Sequence, residues 1–163
     1  MKVGLIGLGR MGGGMARRLL ARGYDLKVFH RDPKQTEPLA ALGAGVAIDI
    51  ADLCQGRDLV ISMLPSDEIL EAVALGPSGL TSSLAVAAIH MVSGTHGVRT
   101  IEKLISAHEL KGQILLSCTV LGRPDRAADG KLGLIPAGPA SAVERIMPVL
   151  KVLGETIFHP GGA

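Results

Sequence analysis

The chain is 163 residues long, enough for one domain that buries about two-thirds of its unfolded surface without help from a disulfide or metal. Its 47% hydrophobic and 20% charged residues exclude a disordered polyelectrolyte, and 2% aromatic residues with no Trp exclude a stacking platform for single-stranded nucleic acid. Lys and Arg number 17 against 15 Asp and Glu, a formal net charge of +2 spread without a basic block, so nucleic acid and membrane surfaces are unexpected partners.

Met1 and Lys2 lead directly into a strand-like apolar run instead of a signal peptide. No stretch reaches the roughly 18 uninterrupted apolar residues of a membrane span. Cys54 and Cys118 are isolated and sit in apolar surroundings, which fits neither a metal-ligand pair nor a disulfide framework. The expectation is a cytoplasmic protein in a reducing compartment.

The elements alternate from the start. Val3 to Leu8 reads as a strand, Met11 to Arg22 as a helix with Met11, Met15 and Leu19 on one face, and Leu26 to His30 as a second strand. A helix from Pro33 to about Leu42, a strand near Gly45 to Ile48, a short helix at Ile50 to Gln55 and a strand at Leu59 to Met63 follow. Next come a helix after Pro65 and Ser66 to about Leu75, a loop at Gly76 to Gly79, a strand at Val86 to Met91 and an amphipathic helix from Val98 to His108. The last third reads as a strand at Ile114 to Ser117, a polar segment from Gly122 to Lys131, a strand at Leu132 to Ala137, a helix from Ser141 to about Val152 and a strand at Thr156 to His159. Such alternation predicts an α/β fold of the doubly wound Rossmann type, a mainly parallel sheet with helices on both faces.

The first strand-to-helix turn is Gly7-Leu8-Gly9-Arg10-Met11-Gly12, a G-x-G-x-x-G pattern inside a βαβ unit. Gly7 permits the tight turn, Gly9 lets a pyrophosphate approach bare backbone, and Gly12 brings helix and strand close. The helix N-terminus then offers unpaired N–H groups and its positive dipole end to phosphate. Gly13 and Gly14 extend the run, and close packing is the simple reading for them. The end of the second strand is His30-Arg31-Asp32. His30 stands where an NAD-binding domain carries an acid, and Arg31 presents a planar cation suited to a 2′-phosphate, so NADP is favoured. NAD stays possible, because a strand ending one residue later would put Asp32 in the ribose-binding role.

These residues, with Met15-Ala16, Leu19, Leu39 and Gly43-Ala44, resemble the β-hydroxyacid dehydrogenases, the group of 3-hydroxyisobutyrate, tartronate-semialdehyde and glyoxylate/succinic-semialdehyde reductases related to 6-phosphogluconate dehydrogenase. The resemblance implies that Met63-Leu64-Pro65 lines the cofactor's adenosine-ribose side and that Ser93, in Met91-Val92-Ser93-Gly94-Thr95, reaches the nicotinamide end. It also implies that Thr119 to Pro124 falls on the substrate loop, with Gly122 as a close-approach glycine. There Leu121 replaces the family's carboxylate-holding serine, and Arg123 is either an anion recogniser or a loop arginine. The wording Ser93-Gly94-Thr95 is nearer to imine reductases, a neighbouring branch.

In this family the proton donor is a lysine on a helix that would lie beyond Ala163, approached by Phe158 to Ala163, and an all-helical domain closes the cleft and makes the dimer interface. The expectation is therefore a cofactor-binding domain, catalytically incomplete by itself, of an oxidoreductase that transfers hydride between NADP(H) and a small hydroxy acid or semialdehyde and that forms a homo-oligomer. A non-catalytic nucleotide-binding or assembly module and an imine reductase cofactor domain are the alternatives. Within the chain, His90 and His96 flank the nicotinamide segment and are the candidates to replace the donor, against the simpler reading that they hydrogen-bond locally.

Overall fold

The structure, a computed structural model, describes residues 1–158. Strands β1 (Lys2–Ile6), β4 (Leu59–Ser62) and β5 (Ile89–Val92) are buried at nearly every position, the signature of a sheet covered on both faces. With β2 (Asp25–Phe29), β3 (Gly45–Val46), β6 (Ile114–Leu121), β7 (Leu132–Ala137) and β8 (Gly154–Ile157) they form one sheet in the order β3-β2-β1-β4-β5-β6-β7-β8. All pairings are parallel except β6 with β7, as a mainly parallel doubly wound fold requires. The ten residues from 122 to 131 are too few for the crossover a parallel pair needs, so that pair runs antiparallel.

Two layers of helices cover the sheet. Helices α1 (Arg10–Ala21), α7 (Pro124–Asp129) and α8 (Ala140–Leu153) bury Met15, Leu19, Ala127, Ile146 and Leu150 in one cluster with Val3, Leu5 and Val28. On the other face α3 (Ile50–Cys54) and α5 (Leu80–Ser83) pack around Ile6 and Val60, and α4 (Asp67–Leu75) and α6 (Val98–Glu109) around Val92 and Leu115. Asp49 and Ser66 cap α3 and α4 by accepting the Asp52 and Ile69 backbone N–H groups.

Several expected elements are corrected. The helix over Pro33 to Leu42 divides into a 3₁₀ turn, Pro33–Gln35, and a four-residue helix α2, Glu37–Ala40. Pro38 has no N–H to carry one helix across the join. The strand expected from Val86 begins at Ile89, because Ala87 has a φ of 63° and Ala88 N–H donates to the Ala85 carbonyl in a tight turn that leaves Val86 exposed. The polar segment Gly122 to Lys131 contains α7, started by Pro124 and stopped at Gly130, whose φ of 71° ends the helix. The short helix α5 follows the Gly76 to Gly79 loop where no element was expected, β6 continues to Leu121, and the last strand starts at Gly154; its expected end at His159 lies outside the described residues. Among the described residues no helix is long and apolar enough to cross a membrane.

Candidate functional site

At β1 the sheet order reverses, with β2 on one side and β4 on the other, and the carboxyl ends of these strands open a crevice. The turn from Gly7 to Gly12 forms its floor. Gly7 has a φ of +95°, and a Cβ there would strike the Met63 carbonyl. A Cβ on Gly12 would strike the Gly7 carbonyl, so this glycine lets α1 sit against the end of β1. Gly9 differs: its φ is −63°, and a Cβ would meet nothing within 4 Å. The fold does not require glycine at this position; the open space above it suits a group that approaches the backbone. Gly13 N–H donates to the Gly9 carbonyl at 2.7 Å, so α1 begins there with its first-turn N–H groups facing the crevice and no acidic residue among them.

The crevice has a volume of about 880 Å³ and is lined by Gly7, Leu8, Gly9, Arg10, Met11 and Gly12 beneath, by His30 and Arg31 at the end of β2, and by Met63, Leu64 and Pro65 at the end of β4. Its far wall comes from α4, where Ile69, Ala72 and Val73 form an apolar stripe beside Glu68. Sequence reasoning missed that wall. The signal was present, since Ile69, Ala72 and Val73 repeat at i, i+3 and i+4 on a face other than the buried Leu70 and Ala74. A long cleft with bare backbone and a helix N-terminus at one end and apolar walls at the other fits a dinucleotide: pyrophosphate on the turn, an aromatic base against the aliphatic wall.

Comparison with known proteins agrees. The family model for the NAD binding domain of 6-phosphogluconate dehydrogenase matches residues 2–161. The chain belongs to that family. It is 42% identical over 161 residues to the uncharacterized oxidoreductase YfjR of Bacillus subtilis, covering 99% of this chain and 56% of the relative. It is 37% identical over 159 residues to the 3-hydroxyisobutyrate dehydrogenase of Pseudomonas aeruginosa, covering 98% and 53%. The solved structure of Psf3 in complex with NADP+ and 2-OPP superposes with a TM-score of 0.92 at 32% identity, over 95% of this chain and 55% of that one. The chain thus spans just over half the length of the relatives it matches and is their nicotinamide-cofactor domain.

At the edge of this NAD-binding domain's cleft, β2 ends at Phe29, and Asp32 is committed elsewhere. Its carboxylate accepts the Lys34 N–H at 3.1 Å to cap the 3₁₀ turn, and its own N–H donates to His30 Nδ1 at 3.0 Å. Arg31 faces the cleft, and among the described residues no carboxylate pairs with it.

The other expected site residues stand apart from the cleft. Ser93 is buried beyond β5 with its N–H on the Ser62 carbonyl, and Gly122 and Arg123 lie at the end of β6, where Arg123 is 82% exposed with Asp125 at 3.6 Å. His90 hydrogen-bonds locally. Its Nε2 lies 2.8 Å from Ser62 Oγ and its Nδ1 2.9 Å from His108 Nε2, and His108 Nδ1 lies 2.8 Å from Gln113 Oε1. Gln113 donates its amide hydrogens to the Thr81 and Leu84 carbonyls, so Oε1 must accept from His108. The tautomers follow in sequence: His108 donates from Nδ1 and accepts at Nε2 from His90 Nδ1–H, and Ser62 donates to His90 Nε2. Burial holds both imidazoles below their ordinary value, His90 well below, and the cleft lining includes neither of them, nor Ser62 or Gln113. His96 is likewise tied down, with Nδ1 2.8 Å from Asp67 Oδ1 and a buried ring; that hydrogen bond, helped by the Gly97 N–H, lowers the Asp67 carboxyl. Burial pushes Cys54 and Cys118 up to about 12, so neither is a thiolate nucleophile.

Proposed function

We propose that this domain binds NADP(H) and presents it for hydride transfer to a small hydroxy acid or semialdehyde, with the remainder of a longer protein supplying the proton donor. The observation that carries the cofactor choice is Arg31, a cleft-lining guanidinium that pairs with no carboxylate among the described residues, beside an Asp32 already occupied as a cap. Gly7, Gly9 and Gly12 with Leu8, Arg10 and Met11 hold the pyrophosphate, His30 and Arg31 the adenosine ribose and its phosphate, and Met63, Leu64 and Pro65 the ribose side of the cleft. Ser93 serves the nicotinamide end, and Gly122 and Arg123 the substrate's anionic group. Support for the substrate class comes from the 3-hydroxyisobutyrate dehydrogenase relative, which carries this half of its chain at 37% identity.

Fluorescence titration with NADPH and NADH tests the cofactor reading. NADPH is expected to bind the tighter of the two, and Arg31→Ala to weaken NADPH about ten- to hundredfold, the worth of a charge-assisted hydrogen bond, while sparing NADH. Equal binding of both cofactors, or an Arg31→Ala variant indistinguishable from wild type, contradicts it. A panel of hydroxy acids, semialdehydes and cyclic imines assayed on the full-length protein separates the dehydrogenase from the imine reductase reading.

A further inference from the structure

Two buried side-chain polar atoms lack a hydrogen-bond partner among the described residues, Ser93 Oγ and His96 Nε2, and both belong to the short segment that joins β5 to α6. Buried polar groups are nearly always paired, so two orphans in one loop mark a segment shaped by more than its own stability. The His96 side chain is 0% exposed and is held through one nitrogen. Asp67, the first residue of α4, accepts from Nδ1 at 2.8 Å, and the same carboxylate accepts the Gly97 N–H at 3.2 Å. An ionised carboxylate only accepts, so the hydrogen sits on Nδ1 and the ring keeps one orientation. Its Nε2 lies against Gly94, where a Cβ would strike both that nitrogen and the Leu64 carbonyl oxygen.

The imidazole therefore joins two loops. On one side is the turn after β4, where Leu64 and Pro65 line the cleft; on the other is Ser93-Gly94-Thr95, with Ser93 buried and Thr95 exposed. Further along the same helices Thr100 Oγ1 donates to a Glu71 carboxylate oxygen at 3.1 Å, Lys103 pairs with Glu71, and Leu70 and Leu104 are buried in one cluster. Helices α4 and α6 are thus tied together without His96. What the His96–Asp67 bond adds is local: it sets Gly94 against Leu64. An apolar side chain would fill the same space and leave no nitrogen unpaired, so the imidazole contributes direction, supplied by its Nδ1–H.

We propose that His96, oriented by Asp67, is a positioning residue for hydride transfer: it presses Ser93-Gly94-Thr95 onto the Leu64 edge of the cleft and so fixes how the nicotinamide ring is presented, without itself touching the dinucleotide. This rests on the reading above that Ser93 serves the nicotinamide end, and it extends that reading from one hydroxyl to the segment that carries it. The positioning comes from α4, through Asp67, and is independent of the glycine turn. Gly94 belongs to the same device, because only a residue without a side chain passes between the ring and the Leu64 carbonyl.

The test uses the 163-residue chain and calorimetric titration with NADPH and with adenosine 2′,5′-bisphosphate, which lacks the nicotinamide, on wild type, His96→Ala, His96→Asn, Asp67→Ala and the double alanine variant. The fluorescence of bound NADPH at saturation reports the surroundings of the reduced nicotinamide. The Asp67 side chain is 38% exposed, so Asp67→Ala is expected to fold even where His96→Ala loses stability, and thermal unfolding checks both. Each alanine is expected to weaken NADPH about three- to tenfold, the net worth of one hydrogen bond, and to leave the bisphosphate within about twofold. The emission of bound NADPH is expected to move toward that of the free cofactor. His96→Asn, whose amide N–H replaces Nδ1–H, is expected to recover most of the lost affinity, and the double variant to bind NADPH no more weakly than either single one. Equal loss of NADPH and bisphosphate affinity marks a merely structural role and overturns the proposal. So do alanine variants with unchanged NADPH affinity and emission, and losses that add in the double variant. Wild type that binds NADPH and bisphosphate alike, with the emission of free NADPH, overturns the nicotinamide role of Ser93 and this proposal with it while leaving adenosine binding intact; wild type that binds neither overturns the cofactor reading itself.

Discussion

Gly9 and Gly12 belong to one motif and make opposite demands. An alanine at Gly12 would drive its methyl into the Gly7 carbonyl, and relieving that collision means moving α1 off β1. Gly12→Ala is expected to cost about 1–3 kcal/mol, which lowers Tm by roughly 3–10 °C in a domain of this size. Gly9→Ala faces open space at an ordinary φ, so Tm should stay within about 2 °C while NADPH affinity falls at least about tenfold, because the methyl stands where the pyrophosphate meets the backbone. Thermal unfolding and cofactor titration on the two variants check the contrast; a Gly9→Ala protein of unchanged affinity would contradict the role given to the turn. The roles of Gly7 and Gly12 were legible in the sequence because each is a local steric requirement, whereas Gly9 meets no such demand from the fold and its role waits on the titration. The caps were not: that Asp32 is occupied depends on β2 ending at Phe29, a boundary that side-chain pattern alone does not set to the residue.

At the scale of elements, α1 carries three glycines in succession, each costing about 1 kcal/mol of helix stability relative to Ala. Gly14 has a reason. Its Cβ would come 3.0 Å from Ala127 Cβ and 3.1 Å from Ala128 N and the Pro124 carbonyl, so α7 can lie on α1 only across a bare helix face. Gly14→Val is expected to destabilise by about 1–3 kcal/mol through overpacking. Gly13→Ala meets only an ordinary 3.4 Å contact with the Leu8 carbonyl, so it should stabilise by about 0.5–1 kcal/mol. Chemical denaturation of the two variants should show midpoints moving in opposite directions. Close packing was the expected purpose of Gly13 and Gly14 and holds for Gly14 alone; its partner was not readable, because α7 hides in a polar segment. Pro124 at its start and Gly130 at its end were the available signals, and its six residues are too few to display a period. The strand at Ile89 was misplaced for a related reason: Val86 to Ala88 is apolar, yet the φ of 63° at Ala87 bends the chain before the ladder starts.

For the whole molecule, the mainly parallel sheet with helices on both faces followed from the alternation of apolar runs, which is a property of the entire chain and tolerates errors at element ends. The buried chain from Ser62 through His90 and His108 to Gln113 could not be read at all, since it joins β4, β5, α6 and the start of β6. It has a global consequence. Both imidazoles are held below the ordinary value of 6.5, so the unfolded chain binds more protons than the folded one as pH falls below 6.5. Their contribution to stability is therefore complete above that pH and lost progressively below it. The carboxylates with lowered values, such as Asp25, Asp52 and Asp67, have ordinary values of 3.8 and take effect only in stronger acid. Tm is expected to decline between pH 7 and 5, and a flat profile over that range would contradict the burial of His90 and His108 as neutral imidazoles.

The central claim is that a dinucleotide's pyrophosphate rests on the backbone between Gly7 and Gly13. Titration of the isotope-labelled chain with NADPH, followed residue by residue through its backbone amide resonances, tests this most directly. Saturable shifts are expected, largest at Gly9, Arg10, Met11 and Gly12 and smaller at Arg31, Leu64 and Val73; saturable binding that leaves the Gly9 to Gly12 amides unmoved, or no binding by the folded chain, would contradict pyrophosphate placement on this turn.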